Sequence, residues 1–184
     1  NIRKQENLNI TFQNIPIEDK KTLEVFSKVK TDGIFQFESP GMKRFLEKLK
    51  VSSFDDLIAA IALYRPGAME FIDNYIRRKE GLEPVTYPDP SLEDILKPTY
   101  GIIIYQEQIL EIARTYAGYT LGEADILRRA ISKKKEQILI EEKPKFIEKS
   151  LSNGHTKNQA EQIYNLILKF ANYGFNKSHS VGYA

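Results

Sequence analysis

The sequence contains no cysteine and only two histidines, His155 and His179, among its 184 residues. Without thiols it cannot build a disulfide framework, a thiolate zinc site or a cysteine nucleophile. The two histidines lie far apart with different flanks, which argues against a histidine-rich metal centre. No apolar run approaches the roughly 20 residues that a bilayer span requires, and the polar start at Asn1 is not a signal peptide. The missing cysteines fit a reducing, cytoplasmic setting. An excess of one charge is lacking too, since 27 Lys+Arg against 25 Asp+Glu leave a formal net charge of +2. With 41% hydrophobic and 28% charged residues, the composition is that of a soluble globular chain, one domain or two small lobes.

The near-neutral total hides an asymmetry. Residues 1–125 hold 16 basic and 20 acidic residues, a net of −4, whereas residues 126–184 hold 11 and 5, a net of +6. A basic segment of about sixty residues is a candidate footprint for a polyanion such as DNA, RNA or a nucleoside triphosphate. It is equally the composition of a lysine-rich solvated surface.

Periodicity along the chain is mostly helical. Leu23 and Phe26, three apart, predict a short amphipathic helix within 18–28. Ile34-Phe35-Gln36-Phe37 reads as a short β-like run. Ser39-Pro40 supplies an N-cap followed by proline at the first helical position, opening a helix through Met42, Phe45, Leu46 and Leu49. Ser53 caps the next, which Arg65-Pro66-Gly67 interrupts. A helix over 68–79 ends at Gly81 with Arg77, Arg78 and Lys79 in its last turn. The three prolines of 83–90 predict a loop that could act as a hinge, and Ser91 restarts a short helix. Gly101 to Tyr105 is either a buried strand or the start of a helix. Further helices follow over 106–117 and 121–131, and another leads from Lys133-Lys134-Lys135 through Pro144. The Thr156/Gln159 capping-box spacing opens the last, with Ile163, Leu166, Ile167 and Phe170 on one side. The expected fold is mainly α, with a few short strands.

Chemistry is sparse. There is no DxD pair and no phosphate-cradling glycine loop, so nothing local supplies carboxylates converging on two metal ions. Asp55-Asp56 follows Ser53, where acids complement a helix N-terminus. Two groups stand out. Arg128 and Arg129 share a helix with Asp125, just before the lysine triplet. Guanidinium groups match phosphate oxygens bidentately and lysines act as point charges. An Asp125–Arg129 surface ion pair beside solvated lysines is the structural alternative. The second group, Tyr173-Gly174-Phe175-Asn176-Lys177-Ser178-His179-Ser180, sets aromatic, amide, cationic, hydroxyl and imidazole groups directly after a helix. Such a stretch suits base stacking and phosphate bonding. The alternative is a helix C-terminal turn with Gly174 as its left-handed residue.

Several segments together carry a family resemblance. They are Thr31 to Ser39 with Gly41-Met42, Ala62-Leu63-Tyr64-Arg65-Pro66-Gly67, and Pro98-Thr99-Tyr100-Gly101 continuing through Tyr105-Gln106-Glu107-Gln108. Ala117 to Gly122, Ala124-Asp125, Leu127-Arg128-Arg129-Ala130, the lysine triplet and Tyr173 to Ser180 complete the set. In this order and spacing, from about Pro16 to Ala184, the chain resembles the fingers region of C-family bacterial replicative DNA polymerases, the DNA polymerase III alpha subunits.

The resemblance implies a multi-helix fingers domain over 17–184, in two helical lobes hinged near 82–98, with 1–16 as a linker or cut segment. It implies a role in template-directed 5′→3′ DNA synthesis in the bacterial cytoplasm. Arg128, Arg129, Asn176, Lys177 and His179 would face the triphosphate of the incoming dNTP. Lys133, Lys134 and Lys135 would contact the DNA backbone more weakly, and Tyr173 and Phe175 would pack beneath this surface. No catalytic or metal-binding residue is assigned here, because the family's Mg2+-binding aspartates belong to the palm. The chain would then be a piece of a larger polypeptide, inactive alone. Its implied partners are primer–template DNA, dNTP and the palm, thumb, PHP and clamp-binding domains, with the sliding clamp and other replisome subunits reached through those regions and no membrane. One departure is Ala68, where the family commonly has proline. Two other readings stay open: a helical nucleic-acid-binding module without nucleotide chemistry, and a basic surface that docks onto an acidic neighbouring domain.

Overall fold

A computed structural model describes Thr11 and residues 14–133, 135–171 and 173–184, apart from the side chain of Glu136. Most of the expected opening segment, 1–16, lies outside the described residues, as does Lys134. Residues 1–56 and 57–184 form two separate units, and residues 82–98 lie inside the second.

In the first unit, α1 (Lys20–Ser27) starts at Asp19, whose carboxylate accepts from the Thr22 N–H at 2.8 Å. Its Leu23 and Phe26 are buried, and Phe26 meets Phe37 edge-on at 5.0 Å. The Ile34–Phe37 run is not a strand. The Ile34 N–H donates to Thr31 O and the Phe37 N–H to Ile34 O, and Gln36 adopts φ 70°. A buried donor drives this turn: the Thr31 hydroxyl reaches Phe37 O at 2.7 Å. The turn buries Phe37 completely and leaves Phe35 62% exposed, a split that a strand, which sets residues two apart on one face, does not give. Ser39 caps α2 (Pro40–Leu49) as its spacing predicts, accepting from the Met42 N–H, and the helix buries Met42, Phe45, Leu46 and Leu49. Asp56 is a buried capping residue. Its carboxylate accepts from the Ser52 and Ser53 N–H groups at 2.8 and 3.1 Å, while Ser53 Oγ accepts from the Asp56 N–H. This fixes the start of α3 (Phe54–Leu63), in whose first turn the first unit ends.

In the second unit, the turn Tyr64–Gly67 leads through one 3-10 turn (Ala68–Phe71) into α4 (Ile72–Lys79), which Gly81 closes at φ 72°. Short helical pieces follow: Pro90–Leu92, α5 (Glu93–Leu96) and Lys97–Thr99. Ile102 to Tyr105 is buried and extended, yet among the described residues β-pairing is limited to one isolated parallel bridge, Tyr105 to Phe175. The expected short strands are therefore absent from the described residues, and a side chain explains why. Gln108 Oε1 accepts from the Ile104 and Tyr105 N–H groups at 2.8 and 2.9 Å, and its Nε2 donates to Thr99 Oγ1 at 2.7 Å and Ile95 O at 3.2 Å. Those backbone donors need no partner strand.

The main helices are α6 (Gln106–Ala117), α7 (Leu121–Ser132), α8 (Glu136–Ser152), α9 (Lys157–Ala171) and the short α10 (Lys177–Tyr183). α6 packs on α7 and α8, α7 on α8, and α8 on α9. Their shared core holds Ile109, Ile112, Leu127, Tyr164 and Ile167, with Phe146 between Tyr116 (6.1 Å) and Tyr164 (5.1 Å). α8 continues through Pro144, and Gln159 and Thr156 form the capping bonds that start α9. Among the described residues no helix is long and apolar enough to cross a membrane. Because Phe146 is fully buried where three helices meet, Phe146→Ala is expected to lower stability by about 3–5 kcal/mol. A urea or thermal unfolding midpoint close to wild type would contradict this packing.

Candidate functional site

The arginine pair sits on α7, and the start of that helix is tightly held. Glu123 reaches back to the Thr120 N–H at 2.8 Å, and Thr120 Oγ1 accepts from the Glu123 N–H at 3.3 Å. From α8, Lys145 and Lys149 approach the same carboxylate at 3.2 and 3.1 Å, and both ammonium groups lie over the Tyr119 ring at 5.3 and 5.4 Å. Tyr119 OH donates to Glu142. The Thr120 backbone N–H, followed by the lysine and hydroxyl partners, holds the Glu123 carboxyl down to about 2. Burial and the Glu142 charge push the Tyr119 phenol well above its ordinary range.

Asp125 lies three residues before Arg128 and four before Arg129, so it can reach both. Oδ1 accepts from Arg128 Nε and Nη2 at 2.9 and 2.7 Å, and Oδ2 accepts from Arg129 Nε at 2.6 Å, with the Arg129 Nη2 charge also 2.6 Å from it. The expected Asp125–Arg129 pair is present, and Arg128 shares it. Arg128, then Arg129, holds the Asp125 carboxyl below its ordinary range. Each guanidinium keeps Nη1 and at least one Nη2 hydrogen outside these bonds. Arg128 is 29% exposed and Arg129 68%. Their two positive charges against one negative leave a net cation on this face.

The second candidate group follows α9. Asn176 caps α10: its Oδ1 accepts from the His179 N–H at 2.8 Å, while its Nδ2 donates to Glu107 Oε1 at 2.8 Å. The Lys177 N–H donates to Glu107 Oε2 at 2.9 Å, and its ammonium lies 5.4 Å over the Tyr105 ring. His179 is exposed and rests against Phe175 at 5.3 Å and Tyr183 at 4.7 Å. Gly174 is not left-handed. Its N–H closes on Phe170 O at 2.8 Å, and a Cβ there would meet Gln106 Cγ and Phe170 O at 3.4 Å. The turn at Arg65–Gly67 backs this stretch: Arg65 lies 4.3 Å over the Phe175 ring, and Gly67, at φ 88°, lies against Tyr173.

Gln106 joins the two groups. Its Oε1 accepts from Ser132 Oγ at 2.8 Å at the end of α7, and its Nε2 donates to Gly174 O at 3.0 Å. Its backbone N–H donates to Phe175 O at 2.9 Å. Lys133 and Lys135 are exposed immediately beyond Ser132. Of the two histidines, His155 stacks on Tyr116 at 3.7 Å. Among the described residues no group of three or more His, Asp or Glu converges as metal ligands would. Sequence reasoning passed over Gln106, Glu107 and Arg65 as site residues. Their motifs are visible, but their partners lie 68 to 70 residues away for Gln106 and Glu107, beyond any local period.

The sequence model of the family described as the bacterial DNA polymerase III alpha subunit finger domain matches residues 1–154. The DNA polymerase III subunit alpha of Bacillus subtilis (strain 168) is 51% identical over 183 residues, covering 100% of the chain and 16% of the relative. That of Aquifex aeolicus (strain VF5) is 47% identical over 184 residues, covering 99% of the chain and 16% of the relative. That of Staphylococcus aureus (strain N315) is 49% identical over 183 residues, covering 100% and 17%. The chain thus spans 16–17% of the length of these relatives.

Two stability effects follow from this geometry. A Cβ on Gly67 would lie 2.0 Å from the Tyr173 ring, and φ 88° disfavours any side chain, so Gly67→Ala is expected to destabilise by roughly 1–3 kcal/mol; an unchanged urea midpoint would contradict the contact. Glu123 has an ordinary value of 4.5 and a lower one when folded. Its charged form therefore stabilises the fold above about pH 5, and this stabilisation is lost as pH falls towards about 2. The thermal midpoint of Glu123→Gln should lie below wild type at neutral pH, with the gap closing over that acid window. A gap independent of pH would contradict the assignment.

Proposed function

Since the chain belongs to the finger-domain family of the bacterial DNA polymerase III alpha subunit, we propose that α7 and the Tyr173–His179 turn face the triphosphate of an incoming dNTP during template-directed 5′→3′ synthesis. The observation that carries this reading is the two arginines paired side by side on one aspartate, on a helix whose end meets the donor turn at Gln106. Arg128 and Arg129 offer planar forks suited to phosphate oxygens. Lys177 adds a point charge, and Asn176 and His179 add polar donors at the start of α10. Phosphoryl transfer depends on holding the reacting groups in line and on stabilising charge that develops on the departing pyrophosphate. Asp125 serves this by fixing both guanidinium groups before the nucleotide arrives. The exposed Lys133 and Lys135, with Lys134, would meet the primer–template backbone.

On this reading the chemistry is completed by a palm outside these 184 residues, and the segment alone is inactive. Mg2+ held by palm carboxylates would supply charge neutralisation and nucleophile activation. The remaining polymerase domains, and through them the sliding clamp, are the proposed partners.

In a full-length polymerase carrying this segment, Arg128→Ala and Arg129→Ala are each expected to lower kcat/KM for dNTP by about 10- to 100-fold, the size of a lost charge-assisted contact. Unchanged steady-state kinetics in both variants would overturn the site assignment. DNA binding that falls with salt yet ignores a templated nucleotide would instead favour a nucleic-acid-binding module. Alanine at Lys133, Lys134 and Lys135 is expected to reduce primer–template affinity and flatten its salt dependence. Intact DNA binding in that variant would assign the lysines to contacts with a neighbouring domain.

A further inference from the structure

We propose that Gln106 is a positioning residue that sets the spacing between the arginine helix and the donor turn, so that the two bind one triphosphate as a unit. This inference rests on the triphosphate reading above. The Gly174 carbonyl can only accept, so it fixes the Gln106 amide nitrogen towards the turn, 3.0 Å away, and leaves Oε1 for the Ser132 hydroxyl at 2.8 Å. A side chain with a donor on one branch and an acceptor on the other satisfies both ends. Ser132 stands four residues after Arg128, on the same stripe of α7, and its hydroxyl also lies 3.0 Å from Arg128 O. One hydroxyl proton serves either α7 itself or the link across to Gln106. The turn has its own fastening, through Glu107 to Asn176 and Lys177 and through the backbone bonds between Ile104, Gln106 and Phe175. Loss of the Gln106 side chain therefore leaves both elements folded on α6 while removing the direct side-chain link between them.

The test uses a full-length polymerase carrying this segment, with dNTP KM, kcat, primer–template Kd and thermal midpoint measured for each variant. Gln106→Ala is expected to raise the dNTP KM by about three- to tenfold, the scale of a lost hydrogen bond, with kcat and primer–template Kd near wild type. Gln106→Glu should match it, because a carboxylate cannot donate to Gly174 O. In Gln106→Ala/Arg128→Ala the loss should fall short of the product of the single losses, because both changes act on one contact. Fully multiplicative losses, or a lowered thermal midpoint with unchanged KM, would overturn the positioning role. Should the Gln106 variants fail to fold, Ser132→Ala cuts only the α7 side of the link. A raised KM there supports the proposal, and an unchanged one overturns it. If Arg128→Ala leaves the nucleotide KM unchanged, the triphosphate reading fails and this inference with it. If Arg128→Ala raises KM and Gln106→Ala does not, the positioning role alone fails.

Discussion

At the start of α6 the first backbone N–H groups have no helical partner, and three consecutive polar side chains there tie distant segments together. Gln106 reaches the end of α7 and the turn after α9. Glu107 holds the first residues around α10. Gln108 turns the other way and satisfies the extended Ile104–Tyr105 backbone together with Thr99. Buried polar groups left unpaired are destabilising, which holds the Gln108 bonds in place, while the half-buried or exposed bonds of Gln106 and Glu107 fix position. The candidate phosphate-facing surface is assembled around this helix end, on a core of Ile109, Ile112, Leu127 and Phe146.

The same economy governs charge. The C-terminal third carries a net +6 by sequence, yet much of that charge is engaged. Arg128 and Arg129 share Asp125, Lys145 and Lys149 share Glu123, and Lys177 and Lys169 lie over aromatic rings. Exposed pairs of this kind add little stability, typically below about 1 kcal/mol. Orientation is the stronger reason for Asp125, because it presents two neighbouring guanidinium groups that would otherwise diverge around the helix. On the proposed reading, a phosphate group approaching from solvent meets oriented donors and a net cation.

Helix starts were legible from local chemistry. Ser39 before Pro40 and Thr156 with Gln159 make the capping bonds that their spacing predicts. The apolar faces of α2 and α9 followed from their period. The short β-like runs were not legible, because a short apolar run states that side chains are buried and not which backbone partner they have. At Ile34–Phe37 the Thr31 hydroxyl decides for a turn, and at Ile102–Tyr105 the Gln108 amide replaces a neighbouring strand. Gly174 misled as well: its backbone is not left-handed, and a Cβ there would make ordinary contacts with Gln106 and Phe170. The arginines and the donor turn could be picked out by residue type, whereas the glutamine joining them could not, since nothing local marks a side chain whose partners lie so far along the chain.

The central claim is that α7 and the Tyr173–His179 turn grip phosphate rather than base or sugar. It is tested most directly by binding templated dNTP and the matching deoxynucleoside diphosphate to a full-length polymerase carrying this segment, on a dideoxy-terminated primer. The wild type should prefer the triphosphate, and Arg128→Ala and Lys177→Ala should each shrink that preference while primer–template affinity holds. An undiminished preference in both variants would contradict the account.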